Sequence, residues 1–380
     1  MTTLEDVARL RLAAQRIAGP GFVTATEAVR WLTALQAQDY PGALTSVMLR
    51  TDTDTDGDDD GDGPGAGIRT ALDGGEVVRS WPMRGTLHLV AAEDLGWMLT
   101  LTTDRLLAGA ARRRAQLGID EAMIARAGEL AHGVLAGGRS ATRAELMGVW
   151  DDAGLLGVKQ RGYHLLWHVS QRGLTCFGPT DGNEQRIVLL DEWVPAPRRL
   201  EREEALAEWV LRYFRGHGPA TRKDFMWWTK LTAKDTTAGL AVAREQLEAI
   251  EVDGVEHLMD PSTPQRLAEI RDAARGVHLL PGFDELLLGY QDRRASLAPE
   301  FADRVVPGGN GMFRNTVVAD GTVVGTWRRT GKGARRSVEG EPFTSFTPAV
   351  RRAIPHLAES YPEPATAARA TAGARAAAAP

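Results

Sequence analysis

The chain has 380 residues, 43% apolar and 25% charged, enough to bury a sizeable core in two or three domains or in one repeat-built body. A single cysteine, Cys176, excludes an intramolecular disulfide, a cysteine-held iron–sulfur cluster and a multi-cysteine zinc site, and reads as a small buried hydrophobe. No run approaches the roughly 18 apolar residues of a membrane span, and the acidic start Leu4-Glu5-Asp6 is unlike a secretory signal. We therefore expect a cytoplasmic protein with no membrane contact, no cofactor and no metal. His164 and His168 stand four apart, but Leu165-Leu166-Trp167 between them contains no glutamate, so the zinc-protease pattern fails.

The net charge of −5 argues at face value against a nucleic-acid partner, but it is unevenly spread. Asp52, Asp54, Asp56, Asp58, Asp59, Asp60 and Asp62 crowd one stretch; without those seven, 45 basic residues face 43 acidic ones. Phosphate contacts are local, so the average charge decides little. The basic residues are mostly arginine, which suits bidentate phosphate contacts; the lysines are Lys159, Lys223, Lys230, Lys234 and Lys332.

In chain order, Thr24-Ala25-Thr26-Glu27 reads as a capping box opening a helix with Val29, Leu32 and Leu35 on its apolar face. Gln36-Ala37-Gln38 then falls where that helix is expected to end, because Pro41 pushes Tyr40 out of helical geometry and Gly42 follows. Residues 51–67 are almost wholly Thr, Asp, Gly and Pro, and read as a solvated acidic loop. Its opening matches a calcium loop, but position 12 is Gly63 rather than glutamate. Val77 to Trp81 and Gly85 to Val90 read as strands about a Pro82-Met83-Arg84 turn.

Two further boxes, Thr142-Arg143-Ala144-Glu145 and Thr221-Arg222-Lys223-Asp224, open helices with Leu146, Met147 and Trp150, then Phe225, Met226 and Trp228. The last follows a helix over 206–214 and a Gly218-Pro219-Ala220 turn, a helix-turn-helix arrangement. With hairpins as wings, the pattern predicts tandem winged helices. From His278 to Phe346 the chain turns β-rich, and Asp320-Gly321 between Val317-Val318 and Val323-Val324 signals a type I′ hairpin. Trp327 to Arg336 carries Arg328, Arg329, Lys332, Arg335 and Arg336 with no acidic residue. Trp327 is expected to anchor this basic hairpin in the core. The expected domains are 1–92 (with the acidic loop 51–67), 93–198, 199–277 and 278–362, followed by a frayed tail over 363–380.

Trp81-Pro82-Met83-Arg84-Gly85-Thr86-Leu87-His88-Leu89-Val90 resembles the first-wing signature of the AlkZ and YcaQ winged-helix DNA glycosylase superfamily. Leu280-Pro281-Gly282-Phe283-Asp284-Glu285-Leu286-Leu287-Leu288-Gly289-Tyr290-Gln291-Asp292-Arg293 resembles its C-terminal signature. Gly309-Asn310-Gly311-Met312-Phe313 and residues 320–327 do so as well, and the similarity runs from about Leu4 to Tyr361. The resemblance implies an α+β fold of three tandem winged-helix units in a C shape, with a β-rich C-terminal domain and duplex DNA in the concave channel. It also implies excision of N7-alkylpurines, including adducts or interstrand crosslinks of natural-product toxins, by a monomer.

The Gln-Ala-Gln triplet matches the AlkZ form of the family's motif, which implies that Gln36 and Gln38 are catalytic; the YcaQ form carries aspartate in the second place. An N7-alkylated purine is cationic and departs neutral, so no general acid is needed. What remains is to place a water under C1′ and to stabilise oxocarbenium-like charge. Glutamine holds water through donor and acceptor groups without acting as a strong base. Asp39 next door is a further candidate for stabilising positive charge. Arg84 and the five hairpin cations are the expected DNA contacts. A winged-helix transcription regulator and a noncatalytic adduct-binding protein remain open on sequence; the basic charge falls in the late hairpin rather than on the capped helices, whose faces carry Trp227 and Trp228.

Overall fold

The computed structural model describes residues 2–52, 66–182, 184–330 and 337–362. Local chemistry explains where its helices begin. All three expected capping boxes form: each threonine hydroxyl accepts from the backbone N–H three residues on, and the Glu27, Glu145 or Asp224 carboxylate accepts from the cap backbone. Two more, Thr3 with Asp6 and Thr232 with Asp235, open the helices Leu4–Ala14 and Ala233–Ala243. Each cap is worth about 0.5–2 kcal/mol to its helix.

Helices alternate with antiparallel hairpins. Ala25–Leu32 and Tyr40–Met48 precede the hairpin Val77–Met83 with Thr86–Ala91. Glu121–Leu135, Arg143–Asp152 and Arg161–Gln171 precede Thr175–Asp181 with Glu184–Leu189. Arg202–His217, Arg222–Thr229 and Ala233–Ala243 precede Glu248–Val252 with Val255–Met259. The first two hairpins fuse into one sheet through a bridge between Arg79 and Phe177, and the short strand Leu35–Gln36 adds to its other edge. Cross-strand pairs Val78–Val90 and Cys176–Val188 turn one face toward the helices Leu95–Gly109 and Arg202–His217, in a core with Met98 and Trp209. Cys176 lies inside it, and burial alone pushes its thiol up.

The last third is β-rich as expected, a four-stranded sheet of Val277–Leu280, Thr316–Ala319, Thr322–Thr330 and Ser337–Pro342, closed by the helix Pro348–Glu359. Asp320 and Gly321 have φ of 52° and 80°, as a type I′ turn requires. The turn is also pinned at long range, because Arg9 Nε and Nη2 each reach the Asp320 carboxylate at 2.7 Å. Trp327 is buried, and its indole N–H donates to the Leu280 carbonyl at 2.9 Å, the anchoring role expected of it. The basic stretch differs from expectation in one respect. The return strand carries Glu339 and Glu341, and Arg328 pairs with Glu339 at 2.7 Å, so the hairpin is not a set of cations without carboxylates.

Most of the acidic loop lies outside the described residues. Its first two residues are tied into the fold: Asp52 N–H donates to the Phe22 carbonyl at 2.9 Å, and its carboxylate accepts from Gly21 N–H at 2.7 Å. The far end differs too, since Ala66 and Gly67 belong to the helix Ala66–Asp73. Among the described residues no helix is long and apolar enough to cross a membrane.

The elements far apart in sequence meet at Arg50 and Asp284, both almost wholly buried. Arg50 Nη1 and Nη2 reach the two Asp284 oxygens at 2.9 Å each, while Nε donates to the Gln15 carbonyl. Ser46 and the Leu286 N–H complete the carboxylate's partners. Burial raises the Asp284 pKa, but Arg50 and the hydrogen bonds outweigh it and the net shift is downward. Removing either member strands a buried charge. Arg50→Met or Asp284→Ala should therefore cost about 3–5 kcal/mol in denaturant unfolding. A depressed carboxylate contributes stability above its unfolded pKa and loses it as pH falls through the folded value. The gap between wild type and Asp284→Ala should thus narrow as pH drops below 3.8.

Candidate active site

Gln36 and Gln38 do not sit at a helix end. The helix Ala25–Leu32 stops at Thr33, whose φ is 69°, and the chain then runs extended through Leu35–Gln36. Pro41 does not terminate that helix; it stands in the first turn of the next one, Tyr40–Met48, where a missing N–H costs nothing. The consequence for the site is favourable. Residues two apart on a strand share a face, whereas on a helix they diverge. Leu35 and Ala37 pack into one core, Gln36 ends the strand almost buried, and Gln38 follows exposed in the bend just past it. The extended run is held by the neighbouring strand, with Ala37 N–H donating to the Leu87 carbonyl at 2.7 Å.

The two amides are also linked. Gln36 Oε1 accepts from Gln38 N–H at 3.3 Å, and Gln38 Oε1 accepts from Leu87 N–H at 3.3 Å. Neither side-chain NH₂ has a partner among the described residues, and each oxygen keeps a second lone pair. Gln36 is only 8% exposed, while Gln38 is open to solvent and lines a cavity of about 980 Å³ with Asp39, Phe283, Met312, Phe313 and Arg328. Asp39 caps the helix Tyr40–Met48 with its backbone, and its carboxylate accepts no hydrogen bond among the described residues.

Behind Gln36 stands a buried acid that sequence reasoning gave no role. Glu285, 1% exposed, accepts the Gln36 backbone N–H at 3.1 Å through one oxygen and the Trp228 indole N–H at 2.9 Å through the other, with His217 Nε2 at 3.4 Å. Its signal in the sequence is the pair Asp284-Glu285 directly before Leu286-Leu287-Leu288: carboxylates leading an apolar turn are buried and must find donors. The loop bringing them there is tight. A Cβ on Gly282 would lie 2.5 Å from the Phe313 carbonyl oxygen.

His88 lies opposite Gln36 in the sheet register and is fully buried. Its Nδ1 faces the Thr86 carbonyl at 2.8 Å and its Nε2 faces Arg84 Nη2 at 2.9 Å. Only a neutral ring that donates from Nδ1 and accepts at Nε2 satisfies both. Burial, reinforced by Arg84 and opposed by the Thr86 carbonyl, holds its pKa well below the ordinary histidine value. Arg84 itself sits at the hairpin tip with φ of 57°, followed by Gly85 at 69°. Among the other expected DNA contacts, Arg328 is exposed and ion-paired, and Arg329 has its guanidinium carbon 5.1 Å from the Tyr361 ring centroid. Lys332, Arg335 and Arg336 lie outside the described residues. The structure thus brings Gln38, Asp39 and Arg328 around one cavity, with Gln36 joined to it through its bond from Gln38 N–H and Arg84 linked to Gln36 through His88.

With this geometry in view, comparisons with known proteins are specific. The family model described as DNA glycosylase AlkZ-like matches residues 29–363. The chain belongs to the AlkZ-like DNA glycosylase family. An interstrand DNA cross-link repair glycosylase from Streptomyces sahachiroi is 28% identical over an alignment covering 66% of this chain and 70% of that protein. The solved structure of the Streptomyces sahachiroi DNA glycosylase AlkZ superposes with a TM-score of 0.75 at 24% identity, covering 95% of this chain and 97% of that one. The mixed helix-and-sheet fold is accordingly shared with this AlkZ-like chain.

The neutral His88 generates a pH prediction. A base whose folded pKa is depressed binds its proton more weakly when folded, so stability is full above the unfolded value of 6.5 and declines as pH falls through it. His88→Gln, which keeps an acceptor for Arg84, should make unfolding free energy fall less steeply between about pH 6.5 and 5, by close to one proton in the slope. Chemical denaturation across that range measures it.

Proposed function

We propose that this chain is a monofunctional DNA glycosylase that hydrolyses the N-glycosidic bond of bulky N7-alkylated purines in duplex DNA, including purines held in interstrand crosslinks. Membership of the glycosylase family supports the reaction class, and the crosslink-repair relative supports the substrate. The observation that carries the reading is the linked pair Gln36 and Gln38, whose side-chain NH₂ groups have no partner among the described residues, with Gln38 lining a cavity of about 980 Å³, roomy enough for a large base adduct.

In this reading the cationic purine leaves as a neutral base without a proton donor. The Gln36 and Gln38 amides hold the attacking water beneath C1′, each offering donors and a spare lone pair. Asp39, whose carboxylate accepts no hydrogen bond among the described residues and which lines the same cavity, offsets positive charge as the glycosidic bond lengthens. No strong base is needed, which limits the enzyme to good leaving groups and spares normal nucleotides. A lyase step through a Schiff base finds little support where lysine is so scarce, with only Lys159, Lys223, Lys230, Lys234 and Lys332 in the chain.

The three helix–hairpin segments are read as winged-helix units, divided near residues 92, 198 and 277, that embrace the duplex in a C-shaped channel as a monomer. Arg84, Arg328, Arg329 and, outside the described residues, Lys332, Arg335 and Arg336 are read as contacts to the DNA backbone. Arg328 then exchanges its exposed bond with Glu339 for a phosphate; exposed pairs are worth little, about 0–1 kcal/mol, so the exchange costs little.

The test is single-turnover excision from duplex carrying N7-alkylguanine, with abasic sites as the readout. Wild type should generate them, and Gln36→Ala or Gln38→Ala should slow release at least about tenfold, equivalent to about 1.4 kcal/mol of barrier, with folding intact. Full activity in the double variant would remove these residues from catalysis. Binding without any abasic product would favour an adduct-binding protein or a regulator instead.

A further inference from the structure

Trp227 stands half-buried on the helix Arg222–Thr229 and is ringed by cations. Arg293 Cζ lies 5.1 Å, Lys230 Nζ 5.2 Å and Arg84 Cζ 5.7 Å from its ring centroid. None of the three forms an ion pair among the described residues. Arg84 donates to His88, Arg293 Nε donates to the Leu287 carbonyl at 2.7 Å, and the Lys230 ammonium has no hydrogen-bond partner there. A fourth cation, Arg105, reaches the Lys230 carbonyl at 2.7 Å.

Such a group of like charges is costly to hold together. Burial lowers the proton affinity of Arg84, Lys230 and Arg293, and Arg84 lowers that of the other two further. Glu285 relieves it in part at Arg84 and Asp224 at Arg293, but the nearby acids are already engaged elsewhere. Glu285 is committed to Gln36 and Trp228, Asp224 accepts from Gln291 and Asp292 backbone N–H groups, and Asp235 is held by Arg202 and Thr232. Arg84 carries two further marks. It holds a left-handed backbone conformation that side-chain-bearing residues avoid, and its buried Nε has no partner.

We infer that Lys230, Arg293 and Arg84 bind a backbone phosphodiester of DNA against the face of Trp227, with Arg105 at the edge. A single anion relieves the mutual repulsion and supplies acceptors to the unpaired donors. Side-chain contacts link the site to the glutamine residues in two ways. Arg293 also lies 5.1 Å from the ring of Phe313, which lines the Gln38 cavity, and Arg84 reaches His88, the cross-strand partner of Gln36. Its assignment to the phosphate beside the excised nucleotide rests on the glycosylase reading; its affinity for duplex does not.

Lys230→Gln tests this with little risk to folding, because among the described residues the ammonium makes no hydrogen bond or ion pair and only its contact with the Trp227 ring is lost. Affinity of the full chain for undamaged and N7-alkylguanine duplex is measured by fluorescence anisotropy across a salt series. Loss of one phosphate contact should weaken both complexes together and reduce the slope of log affinity against log salt by roughly 0.9. Lys230→Arg should restore affinity and slope. Wild-type affinity and slope in both Lys230→Gln and Arg105→Gln would overturn the site. If wild type yields no abasic product while Lys230→Gln still loses slope, the phosphate site stands and the glycosylase reading fails. If excision proceeds and the slopes are unchanged, the reverse holds.

Discussion

Two adjacent buried carboxylates organise this protein. Asp284 takes the Arg50 guanidinium in a bidentate pair, and Glu285 takes the backbone N–H of Gln36 and the indole of Trp228. Through them, the motif entering the C-terminal sheet grips the N-terminal helices, the glutamine strand and the third helical segment at once. A buried pair of this kind adds little net stability over apolar packing, because desolvation offsets the attraction. What it imposes is geometry. Once two charges are buried, only arrangements that satisfy every oxygen and nitrogen are tolerable, and here one such arrangement fixes where Gln36 lies.

The sheet supplies the rest of the geometry. Because the strand Leu35–Gln36 pairs with Thr86–Ala91, Leu35 and Ala37 pack into the core, Gln36 is held almost buried against the neighbouring strand, and Gln38 emerges exposed in the bend that follows. The same register sets His88 beside Gln36, and burial keeps that ring neutral so that it accepts from Arg84 instead of repelling it. Arg84 is thereby held at the tip of its hairpin, pointing its charge toward Trp227. Each candidate group is fixed by a neighbour with a structural reason of its own to be there.

Local chemistry was legible in the sequence. Capping needs only a threonine and an acid three residues apart, so the boxes at Thr24, Thr142 and Thr221 are visible without tertiary information; the same rule applied to Thr3 and Thr232 would have found two more helix starts. The Asp320-Gly321 turn and the anchoring Trp327 were legible for similar reasons. The glutamine segment was misread as helical because its helix ends at Thr33 with neither glycine nor proline to mark the stop, while Pro41, taken as a terminator, begins the next helix. The contacts of Asp284 and Glu285 were illegible because their partners lie 234 and 249 residues away. The acids themselves, set against three leucines, were a visible sign that some partner was required. Glu339, which pairs with Arg328, stands on the return strand eleven residues away, and a reading that extended past Arg336 would have met it.

Glu285 holds the Gln36 backbone N–H at 3.1 Å, and under the proposed glycosylase function that contact positions Gln36 for the reaction. A double-mutant cycle of Gln36→Ala and Glu285→Gln, read by single-turnover release of an N7-alkylpurine, tests it most directly. If Glu285 acts through Gln36, Glu285→Gln should slow excision in the wild-type background and add almost nothing once Gln36 is alanine. Fully additive losses would show that Glu285 acts independently, and the account of how this site is assembled would be wrong.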